Sequence, residues 1–137
     1  MFKLKEQIAN CYFDIQFKNG ISLIVGDSAT GKTFMFKQIS KYCSWKKIPC
    51  VLYNHSICDK SIGYIKNMYN EEKPKLVFVD NADIVLNESF VKFLKQLPND
   101  TSIIISIKRQ YGLRLEPCQY LDIHYDGKTL TTEYRQI

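Results

Sequence analysis

The sequence predicts an α/β domain, a mostly parallel central sheet wrapped by helices, with an antiparallel hairpin near each end. Three observations predict it. Short apolar runs alternate with segments of helical period, the order that builds a parallel sheet with helical crossovers. Asn19-Gly20 and Asp126-Gly127, dipeptides suited to tight turns, each stand between stretches of strand character. A glycine-rich segment, Gly26–Thr33, joins a continuous apolar run to an amphipathic stretch.

The chain has 137 residues, 45% hydrophobic and 24% charged, enough for one core and too few for two, so residues 1–137 read as a single domain. Apolar runs such as Ile21–Val25 fall far short of the roughly 20 residues a bilayer demands, and Met1–Glu6 interleaves charge with apolar residues, unlike a signal peptide. A cytoplasmic protein that does not span a membrane is expected. The five cysteines are scattered and form no Cys-x-x-Cys, so reduced, half-buried fillers are expected rather than disulfides or a zinc site. The net charge of +5 is spread from Lys3 to Lys128, which leaves nucleic acid possible as a partner but unsupported.

The elements follow in order. Tyr12–Phe17 alternates apolar and polar residues, and Asn19-Gly20 then predicts a hairpin into Ile21–Val25, an apolar run fit for burial on both faces of a sheet. Lys32–Cys43 spaces Met35, Ile39 and Tyr42-Cys43 by three and four, predicting a helix. Ile48–Tyr53 reads as a second strand of the parallel set. Asp59 is expected to cap a helix bearing Ile62, Ile65 and Met68-Tyr69, stopped before Pro74. Leu76–Val79 is a third buried strand. Asn87 caps the next helix, with Leu86 stapling Val91 and Phe90, Phe93-Leu94 and Leu97 facing the core. Ile103–Ile107 is a fourth strand, and Tyr120–Tyr125 and Leu130–Tyr134 form a closing hairpin around Asp126-Gly127. Trp45, beside Lys46-Lys47, and the nine tyrosines are of a type that can stack on a base, but aromatics in a small domain read first as core, and none is assigned to a site.

Gly26-Asp27-Ser28-Ala29-Thr30-Gly31-Lys32-Thr33 fits G-x-x-x-x-G-K-[ST] at every position, between strand and helix. Each residue type has a reason. Phosphate oxygens must approach backbone N–H groups closely, which favours glycine at 26 and 31. The helix opening at Lys32 aims unsatisfied N–H groups and its positive dipole end at an anion. Lys32 is expected to reach the β- and γ-phosphates and the Thr33 hydroxyl to ligate Mg²⁺. A buried strand ending in a carboxylate completes such a site, and Leu76–Val79 followed by Asp80 supplies it.

These residues resemble the nucleotide-binding core of P-loop NTPases over residues 12–107, with Gly26–Thr33 as Walker A and Asp80 as Walker B. Phe17–Ile21 leading into the loop is similar to the head of ABC-type ATPases, and Val79–Asp83 to the AAA-like Walker B. The resemblance implies a three-layer sandwich, ATP as the nucleotide, Mg²⁺ held by Thr33 and Asp80, and Lys32 and Asp80 in the catalytic machinery. Those families place a Glu after the Walker B Asp to polarise water; here the position is Asn81, which leaves Asp83 as a candidate substitute or a helix-start residue. Ser106 matches the polar sensor of AAA-like proteins, or an ordinary polar strand end. Arg109 and Arg114 are candidate phosphate-neutralising residues or members of a solvated loop.

No ABC signature (Leu-Ser-Gly-Gly-Gln) is present, the residues after Ile107 are too few for an AAA lid, and the guanine-reading Asn-Lys-x-Asp is absent. The expected function is therefore a minimal Mg-dependent ATP-binding core with slow ATPase activity. A non-hydrolysing switch and, behind it, a small kinase are the alternatives. A core without its own lid suggests a homo-oligomer or larger complex.

Overall fold

The computed structural model describes residues 1–26, 31–108 and 114–136. Eight strands form a mixed sheet: β1 (Phe2–Ile8), β2 (Cys11–Phe17), β3 (Gly20–Val25), β4 (Cys50–Tyr53), β5 (Leu76–Val79), β6 (Ser102–Ile107), β7 (Cys118–Tyr125) and β8 (Thr129–Tyr134). Among the described residues, four α-helices accompany them, α1 (Lys32–Trp45), α2 (Ile62–Glu72), α3 (Ala82–Val85) and α4 (Glu88–Lys95), with a short 3-10 helix at His55–Ile57. The strand order is β1-β2-β8-β7-β3-β6-β5-β4. From β7 to β4 all neighbours are parallel, whereas β1–β2 and β7–β8 are antiparallel.

The central strands are apolar because both of their faces are covered. Every residue of β5 and β6 is buried. Their side chains alternate between two clusters: Val77, Val79, Ile103 and Ile105 join Ile65, Phe90 and Leu94 of α2 and α4, while Leu76, Phe78 and Ile104 join Met35, Phe36 and Ile39 of α1. In α1 the buried positions are Lys32, Met35, Phe36, Ile39 and Cys43, a stripe of helical period. Phe78 stacks on Phe36 with ring centroids 4.7 Å apart. Phe13 and Phe17 of β2 reach the same cluster, stacking on Phe34 at 6.1 Å and meeting Phe78 edge-on at 5.9 Å. The outer strands thereby pack against the side of the sheet that carries α1.

The C-terminal hairpin forms as expected, with Tyr125 opposite Leu130. The N-terminal one forms elsewhere. Asn19-Gly20 does not fold β2 onto β3; β2 pairs with β1 through a turn at Ala9-Asn10 and, on its other side, with β8. Gly20, at φ +87°, turns the chain into β3 while its N–H donates to Thr101 O, so the dipeptide redirects the backbone between different partners. Helix α2 is capped by Ser61, whose Oγ accepts from Tyr64 N at 3.2 Å, and not by Asp59, because the cap must directly precede the first helical residue. Lys73 closes that helix in the left-handed region ahead of Pro74. Asn87 caps α4 as expected, its Oδ1 accepting from Phe90 N at 2.9 Å. Trp45 departs from the core expectation, being 73% exposed with the Lys46 ammonium over its ring. All five cysteines carry free thiols. No helix among the described residues is long and apolar enough to cross a membrane.

Candidate functional site

The buried polar side chains among the described residues are Ser22, Lys32, Asp80, Thr101, Ser102 and Ser106, and three of them, Lys32, Asp80 and Ser106, converge at the C-terminal edge of the parallel strands. That edge is where open α/β sheets leave a ligand crevice. Gly26 follows β3 at φ +144° and donates its N–H to Ile107 O at 3.0 Å, tying the loop's start to β6. The Lys32 ammonium donates to the Gly26 carbonyl, so the lysine reaches back to the end of β3. Gly31 sits at φ +85° directly before α1, with no side chain capping the helix and no acidic residue in its first turn. The helix therefore offers its N-terminal amides without a competing carboxylate of its own.

The residue after Lys32 makes the decisive contact. Thr33 Oγ1 donates to Asp80 Oδ2 at 3.0 Å, joining the first turn of α1 to the end of β5. The two strands behind these residues, β3 and β5, are not neighbours, because β6 lies between them. That arrangement places Ser106 of β6 beside the carboxylate: its Oγ donates to Asp80 Oδ1 at 2.9 Å and accepts from Asn81 N at 3.1 Å. Asp80's own N–H is held by Tyr53 O at 2.8 Å. Its carboxylate is thus buried, oriented on both oxygens and fixed through its backbone.

Asn81 occupies the left-handed region at φ +54° and leads into α3. Asn tolerates that conformation better than most side chains, a local backbone reason for its presence. Asp83 lies in the first turn of α3 and accepts the Lys108 N–H on Oδ1 at 2.8 Å, linking α3 to the end of β6. Arg114 is exposed. Asp27, Ser28, Ala29, Thr30 and Arg109 fall outside the described residues.

The donor chemistry fits magnesium. No cluster of three or more His, Cys, Asp or Glu that could hold a metal occurs among the described residues. Thr33 and Asp80 instead offer a hydroxyl and one carboxylate, hard oxygen donors of the kind Mg²⁺ uses when substrate phosphates and water complete its shell.

Tyr125 was not signalled by any sequence motif. A Cβ built on Gly31 would lie 2.8 Å from Tyr125 Cδ2 and 3.2 Å from its Cβ and Cγ, so the end of β7 rests against Gly31. Asp126-Gly127 marked a turn, but nothing local indicated what the turn would touch.

No protein-family model matches the chain, and no curated protein matches it in sequence. Solved structures do. AMPPCP-bound DnaA from Aquifex aeolicus superposes with a TM-score of 0.52 at 16% identity, covering 73% of this chain and 35% of that one. The crystal structure of a DNA replication initiation factor gives 0.50 at 14% identity, covering 84% of this chain and 40% of the other. The chain thus spans well under half the length of either protein. At these identities the likeness is one of fold alone, an α/β domain with a largely parallel sheet flanked by helices.

Proposed function

We propose that residues 1–137 form one nucleotide-binding unit of three-layer P-loop type, which binds Mg-ATP and hydrolyses it slowly. The 3.0 Å contact between Thr33 and Asp80 carries this reading, because it joins the two residues that the loop motif and the strand-end carboxylate independently nominate for the metal. Thr33 and Asp80 would hold Mg²⁺, which when bound neutralises phosphate charge. Lys32 and the amides from Gly26 to Thr33, including Asp27, Ser28, Ala29 and Thr30, would take the phosphates. Adenine is favoured by the absent Asn-Lys-x-Asp and by the ATP analogue on the similar DnaA. Slow turnover follows from Asn81, whose amide cannot accept a proton; Asp83, two residues further on, is the candidate substitute. Completion of the site by a second copy or a larger complex, in the cytoplasm, belongs to the same reading.

A second reading, a nucleotide switch without turnover, is favoured by one observation: Asp83 already accepts the Lys108 amide. Phosphate release and nucleotide binding, measured together on wild type and Lys32→Ala, separate the possibilities. Turnover and binding that both fall in the variant support the ATPase. Binding without turnover supports the switch, and a wild type that binds no Mg-ATP overturns both.

A further inference from the structure

The first turn of α1 has two sides. Thr33 turns to Asp80 and Ser106, on β5 and β6. Gly31 and Phe34 turn the other way, toward β7, which flanks β3 on the side opposite β6. Strand β7 runs parallel to β3 with Tyr120 level with Leu23, so its last residue, Tyr125, stands beyond the level of Val25 and over the loop's helical end. The Tyr125 ring packs on Phe34 at 5.2 Å and 21°, and Phe34 in turn on Phe13, a short aromatic stack that sets the ring's tilt. Tyr125 nonetheless remains 39% exposed. Its position is held by the turn beyond it, where Asp126 Oδ1 accepts the amides of Lys128 and Thr129 at 2.8 and 2.7 Å.

A triphosphate laid along the start of α1 has polarity in this frame. Its terminal phosphate belongs with Asp80 and Ser106, where metal donors and the buried hydroxyl stand. Its nucleoside then leaves on the β7 side, where an oriented, part-exposed aromatic ring waits. We propose that Tyr125 is the base platform of this site, stacking on the purine of a nucleoside triphosphate whose phosphates lie at the N-terminal end of α1, beside Gly31 and Thr33. The inference rests on the nucleotide reading above and adds to it the residue that recognises the base. Stacking accepts any base but grows with its area, so purines bind more tightly than pyrimidines.

Calorimetric titration of the full chain with Mg-ATP and with Mg-tripolyphosphate tests this, using wild type, Tyr125→Phe, Tyr125→Leu and Tyr125→Ala. Leucine keeps bulk against Phe34 and Gly31 but has no π face, which guards against misreading a packing defect; thermal melts report folding. Tyr125→Leu and Tyr125→Ala are expected to weaken ATP about tenfold while tripolyphosphate changes by less than about twofold, and Tyr125→Phe to retain wild-type affinity for both. Equal weakening of both ligands, or no weakening of either, overturns the base platform while leaving the phosphate site standing. Wild type binding tripolyphosphate as tightly as ATP overturns it as well. Wild type binding neither ligand overturns the nucleotide reading and this inference with it.

Discussion

Ser106 donates its hydroxyl hydrogen to Asp80 Oδ1 at 2.9 Å, and it does so while accepting the amide of Asn81. One buried hydroxyl thus orients the strand-end carboxylate and satisfies the backbone immediately after it. Ser106→Ala leaves that amide and a carboxylate oxygen without their partner, and buried groups so orphaned cost about 1–3 kcal/mol each. Urea unfolding is expected to show a loss of about 2–6 kcal/mol for the two groups together. Asp80→Asn behaves differently: the amide side chain can bond both Ser106 and Thr33 and carries no buried charge, so stability stays within about 1 kcal/mol of wild type. Its expected defect is loss of the Mg²⁺ dependence of ATP binding, read by titration with and without the metal.

Gly31 and Gly20 separate strain from crowding. Both have positive φ, +85° and +87°, but a Cβ at Gly20 meets nothing within 4 Å, whereas at Gly31 it meets Tyr125. Gly20→Ala is expected to cost about 1–2 kcal/mol from backbone strain alone. Gly31→Ala adds an overpacking cost of about 1–3 kcal/mol and, by displacing the loop or the tyrosine, weakens ATP binding. Thermal denaturation with nucleotide titration of the two variants checks the ranking.

Asp83→Asn distinguishes a base from an anchor, because the amide oxygen still accepts the Lys108 N–H that Asp83 receives at 2.8 Å. With the anchor kept, a fall in ATP turnover of about a hundredfold at unchanged ATP affinity is expected for loss of a general base. Unchanged turnover would remove Asp83 from the chemistry.

The closing hairpin is acid-sensitive by construction. The Lys128 and Thr129 amides hold the Asp126 carboxyl below the usual carboxylate range, and the Arg135 side chain, bonded to Asp122 at 2.8 and 3.1 Å, holds that carboxyl down too. Both folded values lie below the unfolded value of about 3.9, so this stabilisation is full above that pH and lost as pH falls through the folded values. Amide exchange at Lys128 and Thr129, corrected for intrinsic rate, is expected to speed up below about pH 4. Asp126→Asn, an acceptor that does not titrate, is expected to flatten that response at the turn.

Much of this architecture is written in short-range patterns. Buried strands such as Ile103–Ile107 are legible because covering both faces leaves no room for polar residues, and α1 because its buried stripe repeats at helical spacing. The first strand, Phe2–Ile8, carried a usable signal, with Phe2, Leu4 and Ile8 on alternating positions, but charges between them hid it in a strand with only one paired edge. Asn19-Gly20 misled for a related reason. A turn dipeptide reports the backbone angles it permits and not the strands it will join, and β2 finds its second partner more than a hundred residues away, Tyr12 level with Thr129.

By itself the sequence determined the spacing Gly26 to Thr33, the buried strand that ends at Asp80, the cap of α4 and the final hairpin, since each depends on neighbours within a few turns of chain. Only the tertiary structure decided that β6 stands between the loop strand and β5, which brings Ser106 onto Asp80. It alone decided that β7 flanks the other side, which brings Tyr125 onto Gly31. The physical reason is the same in both cases: strand order is set by long-range burial of both sheet faces, and no local periodicity encodes which distant strand will supply it.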